Sequence, residues 1–103
     1  MYNIVLVCEH GASTSALVTK MRAAAEQLGE DCEINAYSYS KMDELIDSAD
    51  IVLLGPQVRF KKKGFEQKYA DKNVEFVLIE PQDFAMMNGE KVVKMTLEHL
   101  KNK

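Results

Sequence analysis

Only two cysteines, Cys8 and Cys32, occur in the 103 residues. That is too few for a disulfide framework or for a four-cysteine zinc site. Long apolar runs are missing too. The longest are Ile4 to Cys8 and Ile51 to Leu54, whereas a membrane-spanning helix needs about 20 apolar residues. The N-terminus reads Met1-Tyr2-Asn3 and passes straight into a strand pattern, without the basic segment and cleavage site of a secretory leader. There is no surplus of positive charge either: 13 Lys plus Arg stand against 16 Asp plus Glu, a formal charge of −3. Nucleic acid is therefore not an expected partner, because neutralising phosphates needs a basic excess. Neither an internal repeat nor a low-complexity linker interrupts the chain. These absences leave a soluble, cytoplasmic domain covering 1–103, with no direct membrane insertion, no metal and no cofactor expected.

What is present is a regular alternation of two periods. The hydrophobic fraction is 47% and the charged fraction 28%, enough apolar matter for one core and not for two. Asn3 to Cys8 is a β-branched run suited to a strand buried on both faces. From about Ser13 to Gly29, Leu17, Met21, Ala24 or Ala25, and Leu28 share one helical face, with Gly29 as a natural stop. Glu33 to Tyr37 alternates as an outer strand, and Ser40 to Asp43 resembles a capping box opening a short helix. Asp50 to Leu54 is a third strand, stopped by Gly55-Pro56. A helix over about Arg59 to Ala70 then sets Phe60, Gly64, Phe65 and Tyr69 on one face. Asn73 to Ile79 is a fourth strand, and after a loop ending in Asn88-Gly89 the last helix carries Val92, Val93, Thr96, Leu97 and Leu100.

The order βαβαβαβα implies a three-layer α/β fold, flavodoxin-like, with a four-stranded parallel sheet and helices on both faces. Right-handed crossovers covering both faces require one reversal of winding, which predicts the strand order 2-1-3-4. The crevice then lies between strands one and three at their carboxyl ends. Three loops share that rim: Glu9 to Thr14, Gly55 to Arg59, and Glu80 to Gly89.

The segment Cys8-Glu9-His10-Gly11-Ala12-Ser13-Thr14-Ser15 joins a buried strand to a helix beside that crevice. Its small residues allow successive backbone N–H groups to turn inward as an anion nest. The helix start adds orphan N–H groups and the positive end of its dipole, and the three hydroxyls add donors. Such a field favours a thiolate at Cys8, and equally a dianionic phosphate attached to its sulfur. Glu9, His10, Gly11, Ala12, Ser13, Thr14 and Ser15 are accordingly the expected phosphate cradle, with Cys8 as nucleophile. Free cysteine is also a common core residue, and a purely packed Cys8 is the plain alternative.

The loop also lacks the parts of rival chemistries. A Cys-x-x-x-x-x-Arg phosphatase grips its phosphate with a bidentate arginine, and the equivalent position here is Thr14. A redox motif needs a second cysteine where Gly11 stands, and no Walker glycine-lysine-serine/threonine signature is present. Without the arginine, dipoles and hydroxyls would hold the phosphoryl group, lowering the barrier by positioning and by donors aimed at its equatorial oxygens.

The chain resembles the enzyme IIB components of the lactose/cellobiose branch of the bacterial sugar phosphotransferase system, on the cellobiose or oligo-β-glucoside side. The resemblance rests on Cys8 at a strand end, Gly11, Ser13-Thr14-Ser15 at a helix start, Leu54-Gly55-Pro56-Gln57 after the third strand, and Met87-Asn88-Gly89 before the last helix. It implies a relay: a phosphohistidine on a IIA phosphocarrier protein donates to Cys8, and phospho-Cys8 donates to a sugar bound by the IIC membrane permease. The domain would thus be recruited to the membrane through IIC. Relatives often carry Met at the position of Ala12, small residues in place of Glu9-His10, and Tyr in place of Phe84. The alternatives are a flavodoxin-like module that binds an anion or small molecule without transfer, and a thiol phosphatase.

Outside the loop, Arg59 to Lys63 is a dense basic cluster next to the rim. Arg59 and Lys61 are expected to meet the phosphate or the partner, where positive charge would steer a phosphorylated protein. Gln57 and Phe84 complete the contact set. Phe84, Met86 and Met87 are placed in a loop, either tucked beneath it or forming an adaptable apolar rim. Cys32 reads as a packing residue, His99 as a helix-face residue, and Lys101-Asn102-Lys103 as a solvated tail.

Overall fold

The computed structural model describes residues 1–8 and 11–102, with backbone only for Gly11, Ala12 and Ser13. Four strands, β1 (Tyr2–Cys8), β2 (Cys32–Ser38), β3 (Ile51–Leu54) and β4 (Glu75–Leu78), form one sheet in the order β2-β1-β3-β4. All pairings are parallel. The helices are α1 (Gly11–Gln27), α2 (Met42–Leu45), α3 (Lys62–Lys68), α4 (Pro81–Ala85) and α5 (Gly89–Lys101).

Side chains alternate across β1 because successive residues point to opposite faces. Ile4 and Leu6 join Leu17 and Met21 of α1 and Val93 and Leu97 of α5, while Val5 and Val7 join Met42, Ile46, Tyr69 and Phe76 on the other face. β3 splits likewise, Ile51 and Leu53 to the first face and Val52 and Leu54 to the second. A sheet covered on both sides needs apolar residues at every position of its central strands, as the uninterrupted runs in β1 and β3 supply.

The helix ends follow their local chemistry. At the end of α1, Gly29 takes φ +69°, its N–H donates to Glu26 O at 3.1 Å, and the Glu30 N–H donates to Ala25 O at 3.0 Å. This pair of bonds closes the last turn through a left-handed residue that glycine adopts without strain. Asn88 caps α5, its side chain accepting from Lys91 N at 3.2 Å. Thr96, buried within α5, donates its hydroxyl to Val92 O at 2.7 Å. Between α5 and β4, His99 Nδ1 lies 2.6 Å from Glu75 Oε2.

Several details depart from the sequence reading. Leu28 is 43% exposed, because the closing turn after Gln27 carries it off the buried stripe. The serine cap belongs to the 3₁₀ turn Tyr39–Lys41 that follows β2, where Ser38 accepts from Ser40 N at 3.4 Å, and α2 itself starts after Lys41 without a side-chain cap. Phe60 is 69% exposed while Val58 is buried. Residues Pro56–Lys61 form a 3₁₀ segment kinked at Val58, and α3 starts only at Lys62. Three residues per turn instead of 3.6 rotates Phe60 out and Val58 in. The Glu80 to Gly89 loop contains α4, which buries Phe84 and leaves Met86 68% exposed. Lys101 is tied to Glu30 Oε1 at 2.5 Å rather than trailing in solvent, and Lys103 lies outside the described residues.

Exposed polar ties join the two helices of the second face. Asp43 of α2 accepts from the Tyr69 hydroxyl, lies 3.2 Å from Lys68 Nζ, and is held below the usual carboxylate range by both partners, Tyr69 first. Among the described residues, no helix is long and apolar enough to cross a membrane.

Candidate functional site

The carboxyl ends of β1, β3 and β4 are level. Val7 pairs with Leu54 and Leu54 with Leu78, the Gly55 N–H donates to Val7 O at 3.0 Å, and the Ile79 N–H donates to Leu54 O at 2.9 Å. Cys8 ends β1 at the point where the winding reverses, since β1 lies between β2 and β3 in the sheet. Continuing the alternation of the strand, it faces the α1 side.

α1 begins only three positions later, and none of its first four residues is acidic. Its first-turn N–H groups have no acceptor within the helix, and the helix dipole is positive at this end. Thr14, in that first turn, is fully buried, and its Oγ1 lies 3.2 Å from Cys8 Sγ. Cys8 itself is 2% exposed.

Gly55 closes the other side. A β-carbon built there would lie 3.5 Å from Cys8 Cβ, 3.6 Å from the Phe84 ring and 3.1 Å from Gln57 Oε1. The absent side chain is thus the place on which a thiol-bearing strand end, an aromatic edge and a carboxamide converge. Gln57 is otherwise exposed, whereas Phe84 belongs to the core on the α1 side of the sheet.

Of the residues singled out in the sequence, Cys8, Thr14, Gln57 and Phe84 are brought together. Ser15 is exposed at the end of the first turn of α1. Arg59 lines a separate cleft of 130 Å³ with Pro56, Leu78, Ile79, Glu80 and Pro81. Lys61 is drawn toward the β2 side, its Nζ 4.9 Å from the Tyr39 ring centre and 5.6 Å from that of Phe60. Glu9 and His10, and the side chains at Ala12 and Ser13, lie outside the described residues. Gly55, a strand stop in the rim loop and in the Leu54-Gly55-Pro56-Gln57 motif, joins the site through the space its missing side chain leaves, which those sequence signals do not reveal.

The second thiol is set differently. Burial pushes Cys32 up, and the neighbouring Glu30 and Asp31 push it the same way, so its thiolate is disfavoured. A larger cleft of 530 Å³ is lined by residues from Glu66 to Phe76, including Val74 and Glu75 at the start of β4, on the opposite rim from Cys8. It lies far from the convergence of Cys8, Thr14 and Gly55.

Residues 3–95 match the family model for the lactose/cellobiose-specific IIB subunit of the phosphotransferase system. The chain belongs to that family. It is 36% identical over 102 residues to the oligo-beta-mannoside-specific EIIB component of Bacillus subtilis, covering 99% of each chain. It is 41% identical over 95 residues to the galactose-specific EIIB component of Lactococcus lactis, covering 87% of this chain and 88% of that one. The solution structure of a cellobiose-specific IIB component from Borrelia burgdorferi superposes with a TM-score of 0.79 at 36% identity, covering 99% of this chain and 94% of that one. A shorter match, 32% identical over 56 residues, covers 10% of the lactose-specific EIICB component of Streptococcus mutans. This IIB domain is therefore a module of a sugar phosphotransferase system, and the family's components are phosphotransferases.

Proposed function

We propose that Cys8 is the phosphoryl carrier of this IIB domain. It accepts a phosphoryl group from a phosphohistidine on the IIA protein and delivers it to a sugar of the cellobiose or β-glucoside class held by the IIC permease. In the first step the Cys8 thiolate attacks phosphorus, the S–P bond forms as the P–N bond breaks, and the imidazole leaves with the N–P electron pair. In the second a sugar hydroxyl attacks, the O–P bond forms as the S–P bond breaks, the thiolate departs, and the hydroxyl proton passes to a base or to water. Positioning and oriented donors carry such transfers. The expected donors here are the first-turn N–H groups of α1, the hydroxyls of Ser13 and Ser15, and the Gln57 amide. Arg59 would serve the partner rather than the phosphate. The EIICB relative supports a IIC partner, which would bring the domain to the membrane.

The observation that carries this reading is Cys8 at the carboxyl end of β1, its Sγ 3.2 Å from Thr14 Oγ1 in the first turn of a long helix that has no acidic residue there. Incubation with the upstream phosphorylation chain should add one phosphoryl group, located on Cys8 by peptide mass spectrometry. Cys8→Ser should keep the wild-type circular dichroism and lose all sugar phosphorylation in a reconstituted system. Sugar phosphorylation preserved in that variant overturns the assignment.

One observation favours the second reading, an anion-binding module without transfer: the 2% exposure of Cys8. Transfer requires the groups over the sulfur to yield to the donor. An unmodified Cys8 after the same incubation selects this second reading.

A further inference from the structure

The hydroxyl of Thr14 meets the Cys8 sulfur itself. It is fully buried, and Oγ1 lies 3.2 Å from Cys8 Sγ. While the sulfur carries its proton, either atom can donate to the other. Once the proton is gone, of these two atoms it is the Thr14 hydroxyl that donates, and the bond becomes charge-assisted and about twice as strong as a neutral one. We infer that Thr14 is the positioning residue of the phosphoryl relay: it donates to Cys8 Sγ whenever that sulfur is anionic, before phosphorus is attacked and again as the thiolate leaves. This rests on the carrier reading of Cys8.

The placement follows from the fold. Cys8 ends β1 on the α1 side of the sheet, and the fourth residue of α1 returns over it. A serine, threonine or other hydroxyl there reaches the sulfur, whereas valine fills the same volume with a methyl group. A rim hydroxyl such as that of Ser15, which is exposed, cannot take the role.

The hydrogen bond acts on both half-reactions. In the first it raises the fraction of sulfur present as thiolate. It also lowers the nucleophilicity of that thiolate, but by only about half as much on a logarithmic scale, so attack gains overall. In the second the departing sulfur develops negative charge as the S–P bond breaks, and a pre-placed donor favours its departure. Losing the hydroxyl therefore slows uptake and delivery alike, whereas the loss of a phosphate ligand on the rim would leave the free thiol unchanged.

The test uses the whole chain and two readouts. The rate of Cys8 carbamidomethylation by iodoacetamide, resolved from Cys32 by peptide mass spectrometry, is followed against pH for wild type, Thr14→Val, Thr14→Ala and Thr14→Ser. At neutral pH the hydroxyl-free variants should be alkylated about three- to tenfold more slowly than wild type. Thr14→Ser should restore the wild-type profile. Phosphoryl uptake from phosphorylated IIA should fall about three- to tenfold in Thr14→Val and recover in Thr14→Ser. In the wild-type protein, the Thr14 side-chain NMR resonances should titrate with Cys8, a measurement that needs no variant. If Cys8 takes up phosphate but its alkylation profile is unmoved in a folded hydroxyl-free variant, or the Thr14 resonances ignore its titration, Thr14 is not the positioning residue. If Cys8 in the wild type is never phosphorylated, the carrier reading has failed, whatever the alkylation profile shows.

Discussion

At Gly55 the backbone has φ −65° and ψ 156°, a conformation open to any residue, so its lack of a side chain is a matter of space rather than of flexibility. A methyl group there meets ordinary contacts at Cys8 Cβ and the Phe84 ring and a tight one, 3.1 Å, at the Gln57 Oε1 atom. The last is the end of a flexible side chain and can swing away. Gly55→Ala should therefore fold with unchanged or slightly raised stability, since alanine narrows the unfolded ensemble by about 0.4–1 kcal/mol. It should transfer phosphoryl groups more slowly, roughly tenfold at most, because displacing the Gln57 amide from the proposed phosphate site removes about one hydrogen bond. Melting temperature and single-turnover transfer rate measured together test this. An unchanged rate removes Gln57 from the site. The legibility of these residues was uneven. Cys8 and Gln57 stood in short motifs, but the direction of the Thr14 hydroxyl depends on where α1 crosses β1, which no local pattern encodes.

Between elements, α5 begins in close approach to the backbone of α1. A β-carbon at Gly89 would fall 2.6 Å from the Lys20 carbonyl carbon and 2.7 Å from Met21 N. Those are backbone atoms of a helix whose other face is locked into the core, and they cannot step aside. Gly89→Ala should destabilise the domain by an amount near the top of the about 1–3 kcal/mol range for overpacking, read as a lower urea midpoint with an unchanged slope. A midpoint equal to wild type would show that the helices separate freely. The motif Met87-Asn88-Gly89 was visible in the sequence, and so was the helix it opens. Its purpose was not, because it is set by a helix some seventy residues earlier in the chain. Element boundaries failed for related reasons. The kink at Val58 and the short α4 arise where the chain must turn back across the end of β3 and β4, and the helical period read through Phe60 could not register that turn.

Over the whole molecule, a net charge of −3 coexists with a basic patch from Arg59 to Lys63 near the proposed site. Its members are not equivalent: Lys61 lies over Tyr39 and Phe60, Lys62 pairs with Glu66 at 3.2 Å, and Arg59 and Lys63 are exposed. The steering field should therefore come mainly from Arg59 and Lys63. Changing both to alanine should slow association with the phosphorylated IIA protein by about three- to tenfold at low salt and flatten its salt dependence, leaving the dissociation rate near wild type. Stopped-flow association rates across ionic strength measure this. A slope unchanged from wild type would show that the patch is only a solvated helix face.

The alternation of strand and helix periods, the strand order and the candidate carrier sulfur were all legible in the chain, because hydrophobic periodicity and the handedness of crossovers admit few arrangements and Cys8 stands in a short motif. Which groups surround that sulfur was settled by packing. The Thr14 hydroxyl, the vacancy at Gly55 and the Phe84 edge come from three separate parts of the sequence, and they meet only because three parallel strands end level with one another.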